Sequence, residues 1–297
     1  MTRLHQWKAQ EPLQQGLVKV SVPVLWLIFL SSIMWSWWRT NGSVVLSQDE
    51  GANSAPLLGM VLVAGLTLML IRLIPVSSPS MPPSVKDRRG VHHDLILLLI
   101  CAVIFPLTAF LPGPEEYFII WKVLLLIMFP VAYFKWKGGS SSIKLPRTTL
   151  KSHTWPVALI PIAAYILMTQ FGPLAPAPPA GWPDLTTLVI AAVVTAITAG
   201  VGEEIFYRYW LQSRVEAVSS RWVAILLVSL MYGLMHVGTH GGGLSIDVSI
   251  TTVIASQGVF GIVLGYLWSR YRTLWICILL HILNNGMLVF LHLLGLA

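Results

Sequence analysis

Residues 185–210 read LTTLVIAAVVTAITAGVGEEIFYRYW. The stretch is apolar apart from a few threonines until it reaches Glu203, Glu204 and Arg208. About 20 such residues are enough for an α-helix to cross a bilayer core of about 30 Å. Ionisable groups inside a bilayer cost at least a few kcal/mol each, so three of them together indicate a site. We therefore expect a membrane helix that carries chemistry.

The composition of the whole chain points to the membrane as well. Of its 297 residues, 56% are hydrophobic and only 10% are charged, whereas a soluble domain carries about a quarter charged residues. The net charge of +7 is spread over alternate loops rather than gathered in one patch. We therefore predict a lipid bilayer and no nucleic acid as its surroundings.

Apolar stretches of this kind recur from end to end of the chain, which predicts an all-α, polytopic transmembrane bundle of about nine spans. The predicted spans are 17–37, 55–76, 94–111, 117–135, 155–171, 185–210, 222–237, 249–270 and 274–296. The sixth helix is expected to continue to about Val215 as an amphipathic extension into the cytoplasm. Lys and Arg concentrate in alternate loops, which places the N-terminus inside and the C-terminus outside.

Helical geometry separates the two glutamates. Glu204 and Arg208 are four residues apart with the Glu first, the favourable order for an ion pair on one helix face. Glu203 is rotated by about 100° from that pair and is expected to remain free. We therefore assign the general-base role to Glu203 and a supporting role to Glu204.

Two later stretches each add a polar pair at helical spacing, Tyr232 with His236 and His281 with Asn285. A lone histidine in a membrane helix often only packs and hydrogen-bonds. Polar pairs on three different helices can instead face one cavity. Counting along the spans places Glu203 nearer the cytoplasmic side and His236 nearer the outer side, on the order of 10 Å apart if the helices are untilted.

These three motifs, in this order, resemble the CPBP family of glutamic intramembrane endopeptidases, which includes the CAAX prenyl protease Rce1 and the Abi-type proteins. The resemblance covers roughly residues 202–286. One departure is Tyr232, where the family usually has Phe. The added hydroxyl needs a hydrogen-bond partner in a dry site.

The resemblance implies an intramembrane endopeptidase without metal or other cofactor. In the implied mechanism, Glu203 and His236 activate a water molecule that attacks the scissile carbonyl group. His281 and Asn285 donate hydrogen bonds to the oxyanion, and Glu204, Arg208 and Tyr232 support the site. The implied substrate is a membrane-anchored or lipidated protein or peptide, and we expect a prokaryotic plasma membrane protein of undetermined oligomeric state.

Two alternatives remain open on the residues alone. Glu203, His236 and His281 could bind zinc and leave one position for water, and His240 lies one turn beyond His236. Alternatively, the buried charges could belong to a transporter or a membrane scaffold.

The resemblance also predicts a division into variable N-terminal helices, residues 1–183, and a catalytic core, residues 184–297, within one integrated membrane domain. Outside the motifs, Lys122 is interpreted as a snorkelling side chain. Asp94 is interpreted as a residue at the start of a span, beside a basic loop.

Overall fold

The computed structural model describes residues 12–45, 54–74, 81–114, 117–139, 141–148, 150, 155–172, 175, 181–239 and 244–296. Within these ranges the chain forms nine helical segments, and each overlaps one predicted apolar stretch. They are α1 Pro12–Arg39, α2 Leu57–Leu73, α3 Arg88–Phe110, α4 Tyr117–Trp136, α5 Trp155–Phe171, α6 Leu185–Val218, α7 Arg221–Leu234, α8 Ile246–Tyr271 and α9 Leu274–Leu293.

Six of the helices, α1, α3, α4, α6, α8 and α9, are long and apolar enough to cross a membrane. The other three, α2, α5 and α7, are apolar but shorter. The chain is therefore a mainly helical, multi-pass membrane protein. Nine crossings and the orientation of the termini remain predictions.

Two short antiparallel ribbons connect the helices. β1 (Ser43–Val45) pairs with β2 (Ser54–Pro56). β3 (Ser84–Val85) pairs with β4 (Ile143–Lys144), so the connection before α3 is joined to the connection after α4. These ribbons lie in three of the inter-helix connections and do not alter the all-α architecture.

The core of the bundle lies around α8, whose membrane-length segment is 83% buried, against 17% for α1 and α4. Helix α7 lies close against α8 at Gly233, where an added Cβ atom would be 2.9 Å from the Val253 carbonyl oxygen. Small residues at helix interfaces let two backbones approach closely in a membrane. This approach brings Tyr232 of α7 against Phe260 of α8, with ring centroids 6.5 Å apart.

Helix α6 is irregular where it carries the charged motif. Its 34 residues include π-helical turns over Ala196–Gln212. Turns of this type are rare and often occur at functional sites, because the wider turn redirects side chains. The two glutamates and Arg208 all lie on this segment and are buried.

The polar residues at the end of α6 are buried in the protein. Glu216 forms a two-point ion pair with Arg272, which directly follows α8. Ser213 and Arg214 are also buried. These contacts fix the end of α6 to its neighbours, and its position relative to the cytoplasm remains a prediction.

Asp94, which was interpreted as opening a span beside a basic loop, is fully buried in α3 instead of solvated. One carboxylate oxygen accepts hydrogen bonds from Lys137 Nζ at 2.8 Å and Tyr133 Oη at 3.2 Å. The other accepts from Ser142 Oγ at 2.6 Å and Arg214 Nε at 3.0 Å. A carboxylate with this many donors can remain buried as an ion. It ties α3 to α6, to the end of α4 and to the segment before β4.

Candidate active site

Glu204 is the centre of a buried chain of hydrogen bonds between α6 and α9. Its Oε2 atom accepts from Arg208 Nε at 3.3 Å, which is the i, i+4 pair expected from the spacing. Its Oε1 atom lies 2.8 Å from His281 Nδ1. The Glu204 and Arg208 side chains have no solvent exposure. Glu204 therefore joins the first and third motifs directly.

These contacts fix the orientation of His281. An ionised carboxylate only accepts hydrogen bonds, so Nδ1 carries the proton that is donated to Glu204. In the neutral imidazole, Nε2 is then an acceptor, and the Tyr232 hydroxyl lies 3.3 Å from it. The hydroxyl of Tyr232 therefore has a hydrogen-bond partner, His281, in the buried site.

Glu203 is held by Lys122, which was expected to snorkel toward the membrane surface. Its Oε1 atom accepts a hydrogen bond from Lys122 Nζ of α4 at 2.7 Å, and both side chains are buried. The expectations that Glu203 is free and that Lys122 snorkels are therefore wrong. Helix α4 packs closely on α6 here, since a Cβ atom at Gly202 would lie 2.8 Å from Ile127. The Lys122 ammonium consequently meets a carboxylate within the bundle.

Several hydrogen-bonding atoms at this site have no partner among the described residues. They are Glu203 Oε2, the Tyr207 hydroxyl, and Nη1 and Nη2 of Arg208. The Arg208 guanidinium lies 4.9 Å from the centroid of the Tyr232 ring. Leaving a buried polar group unpaired costs about 1–3 kcal/mol. Such a group of atoms suits a polar ligand, such as a water molecule or a peptide group.

His236 adjoins the cluster through Tyr232. Its Nδ1 atom is 2.9 Å from the Tyr232 carbonyl oxygen, and the two rings are 5.2 Å apart. His236 also interacts electrostatically with Lys122 and His281. Tyr232 contacts both His236 and His281, while the distance expected between His236 and Glu203 remains a prediction.

Asn285 lies one turn beyond His281 and is exposed. Its Oδ1 atom accepts a hydrogen bond from Asn284 Nδ2 at 3.1 Å. Asn285 lines two cavities. One, of about 450 Å³, is mainly apolar and lies between α6 and α9. The other, of about 210 Å³, lies among α2, α5, α8 and α9.

Glu203, His236 and His281 do not form a zinc site among the described residues. Within the part of the chain that the structure describes, no three His, Cys, Asp or Glu residues are arranged to hold a metal ion. Both nitrogens of His281 are occupied, by Glu204 and Tyr232. His240 lies outside the described residues.

Buried carboxylate, basic and tyrosine side chains inside a bundle of long apolar helices define a multi-pass membrane protein with an internal polar site. Residues 185–287 match the family model described as Type II CAAX prenyl endopeptidase Rce1-like. The match covers about a third of the chain and supports a relationship to the CAAX protease family, whose members are membrane hydrolases of the protease class. The match includes all three motifs, whereas Lys122 lies outside it. Comparisons with curated proteins and with solved structures give no match.

Proposed function

We propose that this protein is an intramembrane endopeptidase that hydrolyses a peptide bond with a water molecule activated by Glu203. The proposal rests on the different surroundings of the two carboxylate oxygens of Glu203. Lys122 holds Oε1, while Oε2 accepts no hydrogen bond from the described residues and lies 3.9 Å from His281 Nε2. Glu203 is therefore fixed in position, with one oxygen available to accept a proton.

In the proposed reaction, Glu203 and His236 hold the water molecule. Glu203 Oε2 takes one of its protons as the oxygen attacks the carbonyl carbon, and a tetrahedral intermediate forms. The bond from carbon to nitrogen then breaks, and Glu203 returns the proton to the leaving amine. Lys122 balances the charge of Glu203 in its basic form, and Arg208 balances that of Glu204.

His281 and Asn285 are proposed to donate hydrogen bonds to the oxyanion, each typically worth about 3 kcal/mol. Asn285 Nδ2 has no hydrogen bond within the described ranges and is available as a donor. His281 Nε2 accepts from Tyr232 while the ring is neutral, so the donor is the imidazolium form, which takes its second proton from bulk water before the substrate binds. Glu204, bonded to Nδ1, stabilises that cation.

The substrate is proposed to be a membrane-associated or lipidated protein or peptide. The apolar cavity beside Asn285 has Leu188 of α6 and Ile282 of α9 in its walls, and a hydrocarbon chain or an apolar side chain fits such a lining. The family description names a prenyl endopeptidase, which supports a lipid-modified tail. The loop charges support a prokaryotic plasma membrane.

The test is cleavage of a farnesylated CAAX peptide, and of an unlipidated single-span peptide, by the purified protein in lipid. Glu203→Gln is expected to lower kcat/KM by about 10²–10⁴-fold. Asp184→Asn neutralises an exposed carboxylate just before the same helix and is expected to cleave normally. A zinc chelator is expected to have no effect.

Other outcomes would point elsewhere. Full activity in Glu203→Gln would remove this residue from the chemistry. Activity lost to the chelator and restored by zinc would indicate a metal site. A transporter or scaffold predicts no cleavage by any variant, together with loss of folding when Arg208 is replaced.

A further inference from the structure

The cavity among α2, α5, α8 and α9 has an unusual lining for a membrane protein. Four side-chain amides border it, from Gln170, Gln257, Asn284 and Asn285, and we refer to it as the amide pocket. Polar side chains within membrane helices are rare and usually serve a binding or transport role. The apolar cavity between α6 and α9 contains only one of these amides, that of Asn285.

The amide pocket lies beside the proposed catalytic residues. Asn285 is one helical turn from His281 on α9. Phe260, another residue of the pocket wall, has its ring centroid 5.7 Å from that of His281. A ligand in the pocket would therefore reach the residues proposed to stabilise the oxyanion.

The amides leave both kinds of hydrogen-bonding group available. Gln170 Nε2 donates to the Asn284 carbonyl oxygen at 3.4 Å, and Asn284 Nδ2 donates to Asn285 Oδ1 at 3.1 Å. No hydrogen bond is formed, in the described part of the chain, by Gln170 Oε1, Asn284 Oδ1 or Asn285 Nδ2. Within the described ranges, residues that line the pocket thus retain unpaired acceptor oxygens and unpaired N–H donors, and an extended peptide backbone can complement both.

A protease in a bilayer faces a particular difficulty with its substrate. A peptide bond must leave helical structure to be attacked, and each unpaired backbone N–H or C=O group in a membrane costs several kcal/mol. We propose that the amide pocket binds the extended backbone of the substrate beside the scissile bond. This inference rests on the proposed endopeptidase function and adds the part of the substrate that is recognised, its main chain.

The experiment uses the farnesylated CAAX peptide and versions in which single backbone nitrogens are methylated. N-methylation removes one hydrogen-bond donor, and at the bound position we expect kcat/KM to fall roughly 3- to 10-fold for the wild-type protein. Gln170→Met, which removes the acceptor at similar length, is expected to lower kcat/KM for the parent peptide and to abolish the additional N-methyl effect. Met168→Leu changes an apolar residue of the same pocket and is expected to preserve that effect.

Binding of the same peptides to the Glu203→Gln variant, measured by fluorescence anisotropy, separates the two proposals. If the peptide is cleaved and the N-methyl effect persists in Gln170→Met, the proposed role of the amide pocket is overturned. The endopeptidase proposal then remains intact. Binding that shows the N-methyl effect without wild-type cleavage supports the pocket and overturns the endopeptidase proposal. Absence of both binding and cleavage overturns both for this substrate class.

Discussion

The buried ion pair of Lys122 and Glu203 can be tested by a double-mutant cycle on stability. Lys122→Met leaves the Glu203 carboxylate inside the bundle without the cation that contacts it at 2.7 Å. Glu203→Gln leaves the ammonium without its anion. The double variant removes both charges, so its loss of stability should be much smaller than the sum of the two single losses.

The expected coupling free energy follows from the distance between the two charges and from their burial. At 2.7 Å and an effective dielectric constant of about 20, the attraction of the two charges is about 6 kcal/mol. Desolvation of both ions offsets part of this attraction. Removing one partner of a buried pair typically costs about 3–5 kcal/mol, because an uncompensated charge remains. We therefore expect a coupling free energy in that range.

The assay is the free energy of unfolding in mixed micelles as denaturing detergent is added. The control cycle uses the ion pair of Arg39 and Asp247, whose side chains are 38% and 46% exposed at 3.0 Å. Exposed pairs contribute only about 0.2–1 kcal/mol. A coupling below about 1 kcal/mol for Lys122 with Glu203 would refute the assignment of this contact as a buried ion pair.

Further variants test other parts of the molecule. Tyr232→Phe removes the hydroxyl that lies 3.3 Å from His281 Nε2. Since one such hydrogen bond is worth about 1 kcal/mol, kcat/KM is expected to fall about fivefold. A loss of several hundredfold would contradict a supporting role for Tyr232. Gly233→Ala places a Cβ atom 2.9 Å from a backbone oxygen of α8 and is expected to destabilise the protein by about 1–3 kcal/mol in thermal unfolding. Gly65→Ala, which meets no atom within 4 Å, is its control and should not lower the unfolding temperature.

The helices could be predicted well because each needs a long apolar stretch to be stable in a bilayer. The bounds 155–171 of α5 were predicted without change, and the others overlap their stretches. The spacing of Glu204 and Arg208 also fixed a contact, since both lie on one helix. Periodicity within a helix is a local property and is visible in sequence.

The partners from other helices could not be predicted in this way. Lys122 and Glu203 are 81 residues apart, and nothing local in either stretch reveals that α4 packs on α6. The available signal was a single charge inside an apolar stretch, which is costly in lipid and therefore indicates a partner. The same signal was present at Asp94, whose four donors come from beyond its own helix.

The ion pair of Lys122 and Glu203 also has a consequence for the protein during its synthesis on the ribosome. Synthesis proceeds at about 5–20 residues per second, so Glu203 follows Lys122 by about 4–16 s. During that interval the ammonium has no carboxylate from α6 to meet. Lys122 is five residues from the start of α4, within reach of the headgroups. We therefore expect Lys122 of the nascent helix to snorkel, and we expect its ammonium to turn inward when α6 docks and brings Glu203 within reach.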